Sequence, residues 1–328
     1  MLGDRWRRGG AWLMQAALAP EWIAVDWGTT HLRAYAMDAA GQVIARGHGL
    51  GMGALAAGEG RGDFEAALLG VIDSWLGEAP ISVVMCGMVG SRQGWHEAGY
   101  LPVPKALSGL GEALAQVPTE DSRLVPFIVP GLSQTDPFDV MRGEETQLAG
   151  YVGQAPGANT TVSGRVCLPG THAKWARLEG GAVTHFSTAM TGELFDLLTE
   201  HSILAHSVSD DALDAEAFRD SVLAAYHDPA CLTEALFSVR AEGLLAGEDG
   251  VRARGRVSGL LVGAELAGAK LEPGEPVTLI GAPKLCVAYT EALAALGLDA
   301  GVLDGEAMVL RGLADIHGQL VERRAVPA

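Results

Sequence analysis

The sequence predicts an α/β protein made of two related halves. Three observations carry this. The chain has 328 residues, which at roughly 150 residues per domain is about two domains. Short apolar runs bounded by Gly and Pro alternate with stretches of helical periodicity, the pattern of strands followed by helices. One arrangement, strand, Gly-Thr, strand, turn, strand, occurs twice, at Gly28-Thr29 and at Gly170-Thr171. A repeat at that separation points to duplicated domains rather than a solenoid; chance likeness between two hairpins is the plainer alternative.

The elements follow in order. Residues 23–25 are a short apolar run ending in Asp26-Trp27-Gly28-Thr29-Thr30. Residues 32–37, a turn signal at 38–41 and residues 43–45 complete an antiparallel meander. Residues 63–76 read as a helix, because Phe64, Ala67, Leu68, Val71, Ile72 and Trp75 recur at helical spacing. Residues 81–85 are a buried strand, 87–104 a loop rich in Gly and Pro, and 124–129 another strand. After a further loop, 144–151 is helical. The second half opens with an apolar run at 166–168 leading to Gly170-Thr171, then 173–178, a Gly180-Gly181 turn and 183–186. Helices are expected at 191–201, 214–226, 232–246 and 259–270. A strand at 277–280 ends in Gly281, helix 284–296 follows, and a last helix runs over 305–316. Strand, glycine, helix is a common way to bring backbone against a nucleotide.

Composition narrows the function classes. A hydrophobic fraction of 48% and a mean hydropathy of +0.20 argue for a packed core. The formal net charge of −17 excludes a general nucleic-acid or anionic-membrane surface, since that field repels phosphate. No stretch approaches the ~18 apolar residues of a membrane span. Cys86, Cys167, Cys231 and Cys286 form no CxxC or zinc pattern. They read as buried, reduced thiols of a cytoplasmic protein. In the first twenty residues, Arg5, Arg7 and Arg8 precede an Ala-rich stretch that imitates a signal peptide. Gln15 interrupts it and a strand starts just after Pro20, so residues 1–20 are expected to be a disordered leader, or Met14 the true start. The 44 glycines exceed the usual ~7%; coding bias and turns beside ligands both raise that number.

Five segments carry chemistry. In Asp26-x-Gly28-Thr29-Thr30, glycine lets backbone amides approach phosphate and threonine supplies donors, while Asp26 suits Mg²⁺ or merely caps a turn. A second Gly-Thr at 170–171 suggests two loops clamping one phosphate chain. Glu144 and Glu145, after Arg142-Gly143, open a helix; a carboxylate here suits a general base, or simply the helix dipole. Gly90, Ser91, Arg92, Gln93 and Trp95 follow a buried strand and offer donors for a polar anionic molecule, with Arg92 forking onto a carboxylate or solvated. Lys174 and Lys284, two of only four lysines, sit beside candidate phosphate loops.

The segments IAVDWGTTHLRAY, MCGMVGSRQGW, VMRGEETQLAG, LPGTHAKW and LIGAPKL, in this order, resemble the 2-dehydro-3-deoxygalactonate kinases. The likeness runs from Trp22 to Ile316. That family is similar to the actin, Hsp70 and sugar-kinase group, which implies two ribonuclease-H-like domains with ATP between them. The implied boundaries are 21–153 and 154–328, with the last helix packing back toward the first domain. The resemblance implies that Asp26, Gly28, Thr29 and Thr30 form the first phosphate loop, with Asp26 on Mg²⁺. Gly170, Thr171, His172 and Lys174 then form the second, and Gly281 with Lys284 the adenosine motif. The general base is expected at Glu144, with Glu145 second and Asp26 a third choice; the Glu-Glu pair also resembles exopolyphosphatases. Arg33, Arg92 and Arg142 would offset substrate and phosphate charge. The implied activity is ATP-dependent phosphorylation of the 6-hydroxyl of 2-dehydro-3-deoxygalactonate in galactonate catabolism. An exopolyphosphatase-like hydrolase, a kinase for the gluconate epimer, and a non-catalytic actin-like module are the alternatives. ATP and a small sugar acid are the implied partners, without nucleic acid or membrane; a homodimer is left open.

Overall fold

The computed structural model describes residues 19–56, 63–154, 162–209 and 213–325; most of the expected leader lies outside them. The chain opens with β1 (Trp22–Trp27), β2 (His31–Met37) and β3 (Val43–Leu50), then α1 (Met52–Ala56) and α2 (Phe64–Ile72). β4 (Ile81–Cys86), β5 (Tyr100–Pro102), β6 (Lys105–Ala106), β7 (Ala115–Gln116) and β8 (Leu124–Ile128) follow. A hairpin of β9 (Gly131–Thr135) and β10 (Phe138–Met141) leads into α3 (Glu144–Val152). The second half begins with β11 (Gly164–Leu168), β12 (Ala173–Glu179) and β13 (Ala182–Ala189). Four helices come next: α4 (Thr191–His201), α5 (Ala215–His227), α6 (Leu232–Leu245) and α7 (Gly250–Ala269). β14 (Val277–Gly281), α8 (Pro283–Ala295), β15 (Ala300–Asp304) and α9 (Gly305–Ala325) close the chain.

Two six-stranded sheets result, ordered β3-β2-β1-β4-β8-β7 and β15-β14-β11-β12-β13-β6. They share one plan. An antiparallel meander supplies three strands, and two parallel strands extend it from the first meander strand: β4 and β8 beside β1, β14 and β15 beside β11. The repeat seen in the sequence at the two Gly-Thr turns thus extends through both sheets.

Strand alternation sends β1 into two cores. Ile23, Val25 and Trp27 join Phe64, Leu68 and Ile72 of α2 on one face. Trp22 and Ala24 face a shared core on the other, with Val166 and Leu168 of β11 and Leu313 and Ile316 of α9. Cys167, between those two β11 residues, turns instead toward α5, α7 and α8. Each large side chain so buried contributes roughly 1.5–3 kcal/mol. α3 and α9 lie side by side in the shared core. Their crossing is set by glycine: a Cβ on Gly150 would stand 2.0 Å from the Met308 carbonyl oxygen, and one on Gly312 2.0 Å from that of Thr146.

Several expectations are corrected. Residues 131–141, read as loop, form the β9–β10 hairpin. Part of the 87–104 loop is strand β5. α7 starts at Gly250, nine residues before the expected helix, because the Asp249 side chain caps it by accepting from the Val251 amide at 3.3 Å. α9 runs on to Ala325. Cys86, Cys167 and Cys286 are buried, but Cys231 is exposed, its thiol donating to the Asp228 carboxylate at 2.9 Å. Among the described residues no helix is long and apolar enough to cross a membrane.

Candidate active site

Both Gly-Thr turns are held from behind by the start of a helix. In the first, the Gly28 amide donates to the His31 carbonyl at 3.0 Å, closing the turn between β1 and β2. The Gly28 and Thr29 carbonyls accept from the Met52 and Gly53 amides at 3.0 and 2.8 Å, at the head of α1. In the second, between β11 and β12, the Thr171 carbonyl accepts from the Glu193 amide at 3.0 Å, in the first turn of α4. His172 Nε2 lies 2.5 Å from Glu193 Oε2. Carbonyls are drawn back toward the helices. The amides of Thr29, Thr30, Gly170 and Thr171 have no backbone acceptor among the described residues, the arrangement that suits an anion.

Asp26, at the end of β1, is the strand neighbour of Arg33 on β2 and of Cys86 on β4. Its Oδ2 accepts from Arg33 Nη1 at 3.0 Å. Burial raises its pKa, and the Arg33 charge and hydrogen bond oppose that rise. Gly87, the residue after Cys86, packs against Gly143 at the head of α3. The Gly143 φ of +105° is one that a side-chain-bearing residue rarely adopts.

That turn folds two carboxylates back on the backbone. The Arg142 amide donates to Glu144 Oε2 at 3.0 Å, and the Gly143 amide to Glu145 Oε2 at 2.7 Å. Thr146 Oγ1 lies 3.0 Å from Glu145 Oε1. The two glutamates then part ways. Glu145 is fully buried, and burial, with the Glu144 charge beside it, pushes its pKa up to about 8. The Glu144 side chain keeps 24% of its surface exposed, and Lys174 Nζ stands 4.0 Å from its Oε1. Burial raises the Glu144 pKa too, but Lys174, two backbone amides and His172 pull it down. Glu145 therefore keeps its proton below its raised pKa of about 8, while at Glu144 the nearby Lys174, amides and His172 oppose the rise that burial causes. Lys174 arrives from the second sheet, paired in register with Leu168, so this ion pair, like that of Arg46 with Glu306, joins the two halves.

Comparison with known proteins decides the family. A family model described as 2-keto-3-deoxy-galactonokinase matches residues 26–316. A probable 2-dehydro-3-deoxygalactonokinase of Rhizobium meliloti is 40% identical over 299 residues, covering 89% of this chain and 95% of that protein. A 2-dehydro-3-deoxygalactonokinase of Escherichia coli is 34% identical over 303 residues, 91% and 98% of the two chains. The chain belongs to the 2-keto-3-deoxy-galactonokinase family. A crystal structure bearing the same enzyme name, from Sinorhizobium meliloti, superposes with a TM-score of 0.82 at 40% identity, covering 90% of this chain and 97% of that one.

The other expected site residues of this galactonokinase-family chain fall in two places. Gly281 ends β14 beside the Pro169 carbonyl of the second loop. Lys284 lines a cleft of about 410 Å³ with Gly170, Thr171, Thr191, Gly192 and Tyr289. On the other side, Gly90 packs against Arg142, so closely that a Cβ there would lie 2.7 Å from Arg142 Nη1. The Arg142 guanidinium is buried, donating through Nη2 to the Gly99 carbonyl at 2.7 Å and lying 4.3 Å over the Tyr100 ring. Ser91, next to Gly90 in sequence, is buried, whereas Arg92 and Gln93 face solvent; the Arg92 side chain, 82% exposed, lies 3.8 Å from Glu97. Trp95 packs edge-on to Trp27, centroids 6.3 Å apart.

Sequence reasoning missed a buried polar cluster in this galactonokinase-family fold. Glu265 of α7 accepts from Trp175 Nε1 and Tyr289 Oη at 2.7 Å each, and from Thr191 Oγ1. Its signal was available: a lone acidic residue inside the apolar run Leu260 to Leu266.

Proposed function

We propose that this chain is an ATP-dependent kinase that phosphorylates the 6-hydroxyl of 2-dehydro-3-deoxy-D-galactonate in the cytoplasm. Two ribonuclease-H-like domains, residues 21–153 and 154–328, close on the nucleotide between them. The observation that carries the reading is Glu144: a partly exposed carboxyl group, aimed by the Arg142 amide and faced by Lys174. In this reading Glu144 takes the proton of the attacking hydroxyl. The hydroxyl oxygen bonds to the γ-phosphorus as the bond to the bridging oxygen breaks, and ADP leaves with that electron pair.

The chain's remaining residues bind and orient. Amides at Thr29, Thr30, Gly170 and Thr171 face the phosphates, with Lys284 at the mouth of the adenosine cleft. Gly90, Ser91, Gln93, Trp95 and Arg142 form the sugar-acid side, with Arg92 positioned to approach from solvent. Asp26, whose carboxyl Arg33 engages through Oδ2 only, would be the residue that holds Mg²⁺. When bound, Mg²⁺ offsets phosphate charge. Domain closure keeps water from the γ-phosphate.

A coupled assay of ADP release over sugar acids and neutral sugars tests the assignment. Release is expected with the 2-dehydro-3-deoxy sugar acid. Release stimulated only by neutral hexoses, or indifferent to any sugar, overturns it.

A further inference from the structure

Glu265 is 8% exposed, and no cation contributes to its environment; burial raises its pKa and three neutral donors oppose the rise. A buried carboxylate among neutral groups is expensive, and a well-packed apolar side chain avoids that expense. What the carboxylate adds is direction. Trp175 can only donate, so Oε1 accepts. Oε2 takes both hydroxyls, Thr191 Oγ1 and Tyr289 Oη. Tyr289 is itself held firmly as the phenol by burial and by the charge of Glu265.

The three donors come from three elements, and all of these border the second Gly-Thr loop. Trp175 follows Lys174 on β12, and strand alternation sends the two side chains to opposite faces. Lys174 reaches Glu144 on one side while Glu265 grips Trp175 on the other. Thr191 is the first residue of α4, two before the Glu193 amide that holds the Thr171 carbonyl. Tyr289 is on α8, the helix carrying Lys284. Thr191 and Tyr289 are themselves walls of the 410 Å³ cleft, and Glu265 lies behind them.

We propose that Glu265 is the positioning residue of the nucleotide half of the site: by fixing Trp175, Thr191 and Tyr289 together it sets the shape in which the second Gly-Thr loop and its cleft meet ATP. This rests on the placement of the nucleotide given above.

The test is ADP binding by calorimetry, with steady-state kinetics in which ATP and the sugar acid are varied separately. Glu265→Gln keeps one acceptor oxygen and sets an amide NH₂ against the donors that the other oxygen served. It is expected to weaken ADP binding about tenfold, the loss of one to two hydrogen bonds, and to raise the ATP KM in step. The sugar-acid KM is expected to stay within about twofold, so that the loss falls on the nucleotide side. Tyr289→Phe weakens ADP binding by less, and adding it to Glu265→Gln brings little more, because Tyr289 acts through the carboxylate. A lower Tm with unchanged ADP affinity makes Glu265 a stability element only and overturns the proposal, as does full additivity of the two changes. If Glu265→Gln does not fold, Thr191→Val and Tyr289→Phe decide it, and unchanged ADP affinity in both overturns it. Failure of the kinase assignment looks different: the unaltered protein binds ADP but releases none from ATP with the sugar acid.

Discussion

Lys174 Nζ stands 4.0 Å from Glu144 Oε1, across the junction of the two halves. The lysine belongs to the strand after the second Gly-Thr turn, the glutamate to the first residue of α3. Its place beside that turn suggested a phosphate ligand. It is instead buried at 7% side-chain exposure and turned to Glu144, and its charge opposes the rise in the Glu144 pKa that burial causes.

Glu144→Gln removes the proton acceptor and retains the shape. It is expected to lower kcat by about 10²-fold or more with ADP affinity unchanged by calorimetry. Near-normal turnover transfers the role to Glu145 or Asp26.

Lys174→Met is expected to move the acid limb of kcat/KM to higher pH. The sign follows from the groups around Glu144. Lys174, the backbone amides of Arg142 and Glu144, and His172 lower its pKa, while burial raises it; on its own helix the neutral Glu145 adds no charge. Glu144 must be ionised to accept a proton, so losing the lysine narrows the active range from the acid side. Lys174→Arg restores part of it. A raised ATP KM with an unmoved acid limb returns Lys174 to the phosphates.

Glu145 makes stability fall with rising pH. Its pKa is about 8 in the folded chain against ~4.3 unfolded, so between those values the folded state binds the extra proton. Stability from this group is full below the unfolded pKa and is lost as pH rises through about 8. Glu145→Gln mimics the protonated acid and leaves the Gly143 amide its acceptor. Its Tm is expected to match the unaltered protein at ~pH 4, below the unfolded pKa, and exceed it at about pH 8, the folded pKa. Parallel Tm curves at both pH values count against a buried neutral glutamate.

The two Gly-Thr turns were legible because a strand ending in Gly-Thr is a local pattern, and its recurrence made the second turn as readable as the first. The β9–β10 hairpin was not, since Gly131, Pro137 and the polar Ser133-Gln134-Thr135 read as loop until β5 supplies the neighbouring strand. The Lys174–Glu144 pair and the Glu265 cluster were equally out of reach. Their partners lie 30 and up to 90 residues apart in the chain, and only the packing of sheets against helices brings them together. Arg142 shows the opposite limit: its type and position suggested a substrate contact, yet its guanidinium is spent in part on Gly99 and Tyr100.

Gly150→Ala tests whether Glu144 depends on the shared core. The α3–α9 crossing is so tight that a methyl group on Gly150 meets the Met308 carbonyl oxygen at 2.0 Å and the Gly312 amide nitrogen at 2.9 Å. Those are backbone atoms of a helix packed on both sheets, and they cannot swing aside as a side chain does. Helix propensity favours alanine by up to ~1 kcal/mol, so a free helix would be stabilised. Overpacking costs typically ~1–3 kcal/mol, and here the helices must separate. The expected result is a net loss of stability, read by denaturant titration. Because α3 carries Glu144 at its head, kcat is expected to fall with it, while ADP affinity, set on the far side by α4, α7 and α8, holds. A stabilised variant with full activity would show that the crossing yields without moving the carboxylate.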